Sequence, residues 1–188
     1  ELETFIEAAA RAVANQVDID VLLSLAKPHS LPASSGRHFA MSLPPLAHRI
    51  AVAQDRAFAF CYPAILEGWR AAGAEIELFS PLANEAPDMA AGAIYLPGGY
   101  PELHAETLAS ADIFLGGLHE AAAQEKIIFG ECGGYMVLGR GIISADGERH
   151  AMADLLPVET SFAKRCLHLG YRDVRLCADG PLGTVGER

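Results

Sequence analysis

Positive charge is in short supply in this chain: 14 Lys and Arg stand against 24 Asp and Glu, a formal net charge of -10 at pH 7. A surface of that sign repels phosphate backbones and anionic membranes, and no Lys/Arg cluster interrupts it, so no nucleic-acid or membrane partner is expected. Long apolar runs are missing as well. No stretch approaches the roughly eighteen residues that span a bilayer, and the start, Glu1-Leu2-Glu3, has neither the basic nor the apolar region of a secretory signal. The expectation is a soluble, cytoplasmic protein. Cysteine is scarce, four in 188 residues at positions 61, 132, 166 and 177, with no C-x-x-C pair and no density of a secreted disulfide scaffold. There is no H-E-x-x-H, so no metal site is expected.

What is present is a globular composition, 51% hydrophobic and 20% charged, long enough for one domain with an appendage. At the start, Leu2, Phe5, Ile6, Ala9 and Val13 recur at the spacing of one buried helix face, and Asp18 can cap a second short helix running from Ile19 to Ala26. Residues 27–47 are rich in Pro, Ser and Gly and lack periodicity, which predicts a linker. From Arg49 the pattern alternates strand and helix. Ile50 to Ala53 reads as a buried strand, then comes a helix opened by Pro63 with Ile65, Trp69 and Ala72 on one face. Ile76 to Phe79 and Ala93 to Leu96 read as further strands. Pro101 opens a helix that continues to about Glu125, before a fourth strand, Lys126 to Phe129, stops at Gly130. Four such repeats predict an α/β fold with a mostly parallel sheet flanked by helices, preceded by short N-terminal helices. Beyond Gly139 the pattern weakens to Ile142 and Ile143, a turn at Asp146-Gly147, and a final strand within Leu167 to Leu176.

The sharpest local signal is Gly130-Glu131-Cys132-Gly133-Gly134, directly after a buried strand and before a short helical run. Where a strand turns this tightly into a helix, only small residues fit two positions either side of the nucleophile, and here both are glycine. The turn lifts the Cys132 sulfur above the carboxyl edge of the sheet and sets it at a helix N-terminus, whose dipole favours thiolate over thiol. Cysteine is more often simply buried; the glycines and the strand-turn-helix context favour an acyl acceptor. Such a nucleophile needs donors for the oxyanion. Gly133 N–H supplies one, and Gly98-Gly99, at the end of the preceding strand, can bring a bare backbone N–H close to a substrate.

The strings Tyr95-Leu96-Pro97-Gly98-Gly99-Tyr100-Pro101-Glu102-Leu103 and Gly130 to Met136 resemble the glutaminase domain of the cobyrinic acid a,c-diamide synthase family. So do Ile50 to Ala53, Phe60-Cys61-Tyr62-Pro63 and Leu169-Gly170-Tyr171-Arg172. The resemblance implies a class I, triad-type glutamine amidotransferase of flavodoxin-like fold, acting in cobalamin biosynthesis. Cys132 would attack the side-chain amide of glutamine, with Gly99 and Gly133 as oxyanion donors and Gly98, Tyr100 and Glu102 in the substrate loop. Ammonia would then amidate the a and c carboxylates of a corrinoid in an ATP-dependent synthetase domain. Residues 1–26 resemble the end of that domain, 27–47 the linker, and 48–188 the glutaminase. ATP and Mg2+ are expected for the synthetase domain alone, since no G-x-x-x-x-G-K-[ST] occurs here. A homo-oligomer is allowed by this reading. Met136 stands where other class I amidotransferases often have glutamine.

The partner base is the missing piece. His29, His38 and His48 fall in or beside the linker, His104 and His119 on helices, and His150 and His168 near the end, none in a base-like context. The family's histidine lies in a Gly-His-Glu-x-x-His segment after the final strand, which implies a fragment that keeps the nucleophile and turns glutamine over poorly. The competing readings are cobyric acid synthase or another tetrapyrrole amidotransferase, a non-catalytic docking module, and a cysteine redox protein.

Overall fold

A computed structural model describes residues 2–26, 43–164, 170–180 and 183–186. The chain divides into two units, Glu1–Phe39 and Ala40–Arg188. In the first, helix α1 spans Leu2–Gln16 and α2 spans Ile19–Leu25, the latter capped as expected by Asp18, whose carboxylate accepts from Val21 N at 3.0 Å. The face expected to be buried is not. Leu2, Phe5 and Leu25 are each about 70% exposed, and neither helix buries a residue. Among the described residues of this unit each helix has only the other to cover it, and the pair leaves an open groove lined by Phe5, Ile6, Ala9, Val13 and Ile19.

The second unit is built on four short strands, β1 (Arg49–Ala53), β2 (Glu75–Phe79), β3 (Ala93–Leu96) and β4 (Ile127–Gly130), all parallel in the order β2-β1-β3-β4. Residues alternate between its faces. Ile50, Val52, Ala93 and Tyr95 meet Leu66 and Trp69 of α3 (Pro63–Ala71) on one side. Ala51, Ala53, Ile94 and Leu96 face Leu108 of α4 (Ala105–Ala109) and Phe114, Leu118 and Ala121 of α5 (Asp112–Ala123) on the other. Each fully buried large side chain in these layers contributes roughly 1.5–3 kcal/mol. The α/β fold with a parallel sheet covered on both faces is therefore as expected. Leu46 is buried and Leu43 packs beside it, so this end of the expected linker belongs to the sheet's core; residues 27–42 lie outside the described residues, with His29 and His38.

Three details differ from expectation. The single helix predicted from Pro101 is three pieces, a 3-10 turn over Pro101–His104, then α4 and α5. Asn84 is the reason for the last break: its Oδ1 accepts from Ile113 N at 2.8 Å and Phe114 N at 3.1 Å, capping α5 from outside the helix. On α3 the buried pair is Leu66 and Trp69, with Ala72 exposed. After α6 (Gly133–Leu138) a small second sheet of β5 (Gly141–Ile143), β6 (Arg149–Ala151) and β7 (Glu159–Ser161) forms in the order β6-β5-β7. No strand occurs in 170–176, where Tyr171 and Val174 stand exposed without a sheet neighbour to order them, and residues 165–169 lie outside the described residues. Among the described residues no helix is long and apolar enough to cross a membrane.

Candidate active site

Strand order reverses between β1 and β3, and in such sheets ligands bind at the carboxyl edge near that point. The loops that meet there follow β1, β3 and β4. At the tip of β4, Cys132 takes φ 47° and ψ -109°, is exposed, and starts α6. A residue with a Cβ is strained at this angle, as a nucleophile elbow requires. The flanking glycines are obligatory for a steric reason. A Cβ on Gly130 would sit 2.8 Å from the Gly134 carbonyl carbon, and one on Gly134 would sit 2.0 Å from Leu96 O. Backbone bonds fix the turn to β3: Glu131 N donates to Leu96 O at 3.1 Å and Gly134 N to Pro97 O at 3.1 Å.

The β3 loop closes over this turn. Gly98 backs the sulfur-bearing residue, since a Cβ there would lie 3.3 Å from Cys132 Cβ. A Cβ on Gly133 would lie 3.1 Å from Gly99 N, so the two expected donor residues are brought together. Among the described residues neither Gly99 N nor Gly133 N is donated to any acceptor. Two undonated N–H groups beside an exposed sulfur are the donor set an acyl oxyanion needs. Tyr100 is half exposed and meets Phe60 edge to face with centroids 4.9 Å apart, and Glu102 lies on the 3-10 turn that follows.

One contributor carries no signal in the elbow or glycine strings. Asp55, in the loop after β1, accepts from Ala57 N at 2.8 Å, Ser80 Oγ at 3.0 Å and Leu82 N at 2.8 Å. It thereby sets the Ala57–Phe58 backbone, against which Gly99 is wedged: a Cβ on Gly99 would meet Ala57 O at 2.0 Å. Phe60 N then donates to Gly98 O at 2.9 Å, finishing the support. Asp at a strand end is a turn signal, and that was the only available hint. Asp55→Ala leaves three donors without an acceptor and is expected to cost about 2–4 kcal/mol in urea unfolding, with Asp55→Asn, which keeps one acceptor oxygen, losing about half of that.

Among the described residues the histidines supply no partner for the sulfur. No hydrogen bond among the described residues joins Cys132 to a histidine: His104 closes the 3-10 turn, His119 is exposed on α5, and His150 lies on β6 opposite Ile142. His168 lies outside the described residues, as does Cys166. Burial first, then the nearby Glu131 charge, push the Cys61 thiol up, which lowers its share of reactive thiolate.

Residues 49–184, which hold the elbow, the glycine loop and the Asp55 turn, match the family described as CobB/CobQ-like glutamine amidotransferase domain. Hydrogenobyrinate a,c-diamide synthase of Rhizobium meliloti (strain 1021) is 54% identical over 173 residues, covering 92% of this chain and 39% of that protein. The enzyme of the same name from Sinorhizobium sp is 55% identical over 186 residues, with 96% and 42% covered, and that of Rhodobacter capsulatus 50% over 187 residues, with 100% and 42%. The chain spans about two fifths of the length of these curated relatives. With the parallel sheet, the glycine-flanked cysteine and the matched stretch all in agreement, this chain belongs to the CobB/CobQ-like glutamine amidotransferase family.

Proposed function

We infer that this chain is the glutaminase part of an ATP-dependent corrinoid a,c-diamide synthase working in the cytoplasm. The observation that carries the reading is the strained, exposed Cys132 beside the undonated Gly99 and Gly133 N–H groups. In this scheme Cys132 Sγ attacks the side-chain carbonyl carbon of glutamine, and the oxygen takes negative charge that the two N–H groups stabilise. The carbon–nitrogen bond then breaks, ammonia leaves with a proton from the base, and a γ-glutamyl thioester remains. Water adds to it, releasing glutamate and restoring the thiol.

The base is assigned to a histidine beyond residue 188, in the Gly-His-Glu-x-x-His segment that the family resemblance implies. For the acceptor we take hydrogenobyrinate, a choice supported by the name this chain's relatives share, and its a and c carboxylates would take the ammonia. Activation of those carboxylates belongs with ATP and Mg2+ in the synthetase part. The residues here do not fit that pair: the chain has no phosphate-binding G-x-x-x-x-G-K-[ST], and among the described residues no three His, Cys, Asp or Glu gather to hold a metal. Residues 1–26 go with the synthetase part, 27–47 with the linker and 48–188 with the glutaminase; the uncovered apolar face of α1 and α2 supports that division.

Glutamate release by this chain, by one extended through the histidine segment, and by the extended Cys132→Ala variant tests the scheme. The extended chain is expected to exceed the other two by roughly a thousandfold or more. Equal rates for the short and extended chains would overturn the assignment of the base. Retained activity in Cys132→Ala would overturn that of the nucleophile.

A further inference from the structure

One titratable pair beneath the elbow takes no part in the scheme above. The Tyr95 hydroxyl of β3 donates to Glu131 Oε1 at 2.6 Å, joining residues 36 positions apart. Tyr95 is 1% exposed, stacked on Phe129 of β4 with centroids 5.8 Å apart and met edge-on by Trp69 at 5.5 Å. In a core packed this closely the ring is fixed to both strands. Burial, and then Glu131 itself, push the hydroxyl far above its ordinary range, so it remains a donor.

Glu131 immediately precedes Cys132, and its backbone is tied on both sides, N–H to Leu96 O and carbonyl to Gly134 N at 2.8 Å. Its carboxylate lies among Tyr95 and Cys61, on the α3 face of the sheet. Resting on the glutaminase reading, we propose that the Tyr95–Glu131 bond is a positioning clamp. It locks the strand end that carries Cys132 to the strand end that carries Gly98 and Gly99, so that sulfur and oxyanion donors keep one register. The geometry favours this role because Glu131, the residue directly after β4, is bonded to two successive residues of β3, through its side chain to Tyr95 and through its N–H to Leu96 O. A charge-assisted O–H···O bond of this length is among the stronger links available, and small displacements of reacting groups lower rates steeply.

The probe is a pair of alkylating agents applied to the chain extended through the histidine segment, with labelling at Cys132 resolved from the other cysteines by peptide mass spectrometry. One is iodoacetamide, which needs only an exposed sulfur. The other is the chloromethyl ketone analogue of glutamine, which must seat its carbonyl before sulfur displaces chloride and forms a thioether. Tyr95→Phe and Glu131→Ala are expected to slow the chloromethyl ketone by about tenfold or more relative to iodoacetamide. Glu131→Gln, whose amide oxygen still accepts from the hydroxyl, should stay within about threefold of the native chain. The Tyr95→Phe, Glu131→Ala double variant should be no slower than the slower single one, because both remove one interaction. An unchanged ratio of the two reagents in Tyr95→Phe, or equal loss with both, overturns the clamp; so do additive effects in the double variant. If the native chain reacts at Cys132 with iodoacetamide and not with the glutamine analogue, the glutaminase reading itself falls and the clamp with it.

Discussion

Replacing Gly134 by alanine is expected to destabilise the protein by about 4 kcal/mol or more, or to prevent folding altogether. The new Cβ would lie 2.0 Å from Leu96 O, 2.7 Å from Leu96 C and 2.7 Å from Leu96 Cβ. Two of these three atoms are backbone, so no side-chain rotation relieves the contact; β3 or α6 must move. Neither can move alone. Leu96 O accepts from Glu131 N, and Gly134 N is held by Pro97 O and Glu131 O. Opening the gap therefore disturbs the elbow as well as the sheet. Gly116 is the control: it lies exposed in α5, and a Cβ there would meet nothing within 4 Å. Gly116→Ala should stabilise by roughly 0.5–1 kcal/mol, because alanine loses less conformational entropy in a helix. Urea denaturation of both variants checks the contrast. A Gly134→Ala chain as stable as the native one would mean that α6 does not rest on β3 this closely.

The contacts around Gly134 also show why some of the molecule was readable in sequence and some was not. Where the signal lies within one short segment, the sequence is readable: Asp18 caps α2 three residues away, β3 runs over the expected Ala93–Leu96, and glycine stands two positions either side of Cys132, even though Leu96 of β3 is what makes Gly134 necessary. Reading faltered where a distant residue decides. α5 starts at Asp112 because Asn84, 29 positions before Ile113, supplies its cap, and nothing in the helical periodicity after Pro101 marks that break. The three-residue strand β7 owes its form to pairing with β5, since Glu159-Thr160-Ser161 has little apolar alternation of its own. Asp55 and the Tyr95–Glu131 bond were missed for the same reason. Each relies on a polar side chain with a partner 25 or more positions away, Asp55 on Ser80 and Leu82, and Tyr95 on Glu131. The amphipathic face of α1 is legible as a pattern, yet the pattern specifies only that a face seeks cover, and among the described residues α1 buries none of its own.

Cys132→Gly is expected to abolish the reaction while making the protein more stable. At φ 47° and ψ -109° a residue with a Cβ carries about 1–3 kcal/mol of strain, whereas glycine adopts the mirror-image region freely. Against that relief stands the larger backbone entropy glycine loses on folding, about 0.5–1 kcal/mol. The net gain is about 1 kcal/mol, a rise of roughly 2–4 °C in melting temperature for a chain of this size. Cys132→Ala isolates the cause, because it removes the sulfur and keeps the Cβ; its melting temperature should stay near that of the native chain. Both variants should fall to background in glutamine hydrolysis when tested in the extended chain, a loss of roughly a thousandfold or more. The ordering glycine above cysteine and alanine would mean that the elbow holds its sulfur at a standing expense in stability, one the fold tolerates for the sake of reactivity. The reverse ordering would mean that the turn is relaxed as it stands, and that exposure of the sulfur beside Gly99 and Gly133, rather than strain, is what the surrounding glycines secure.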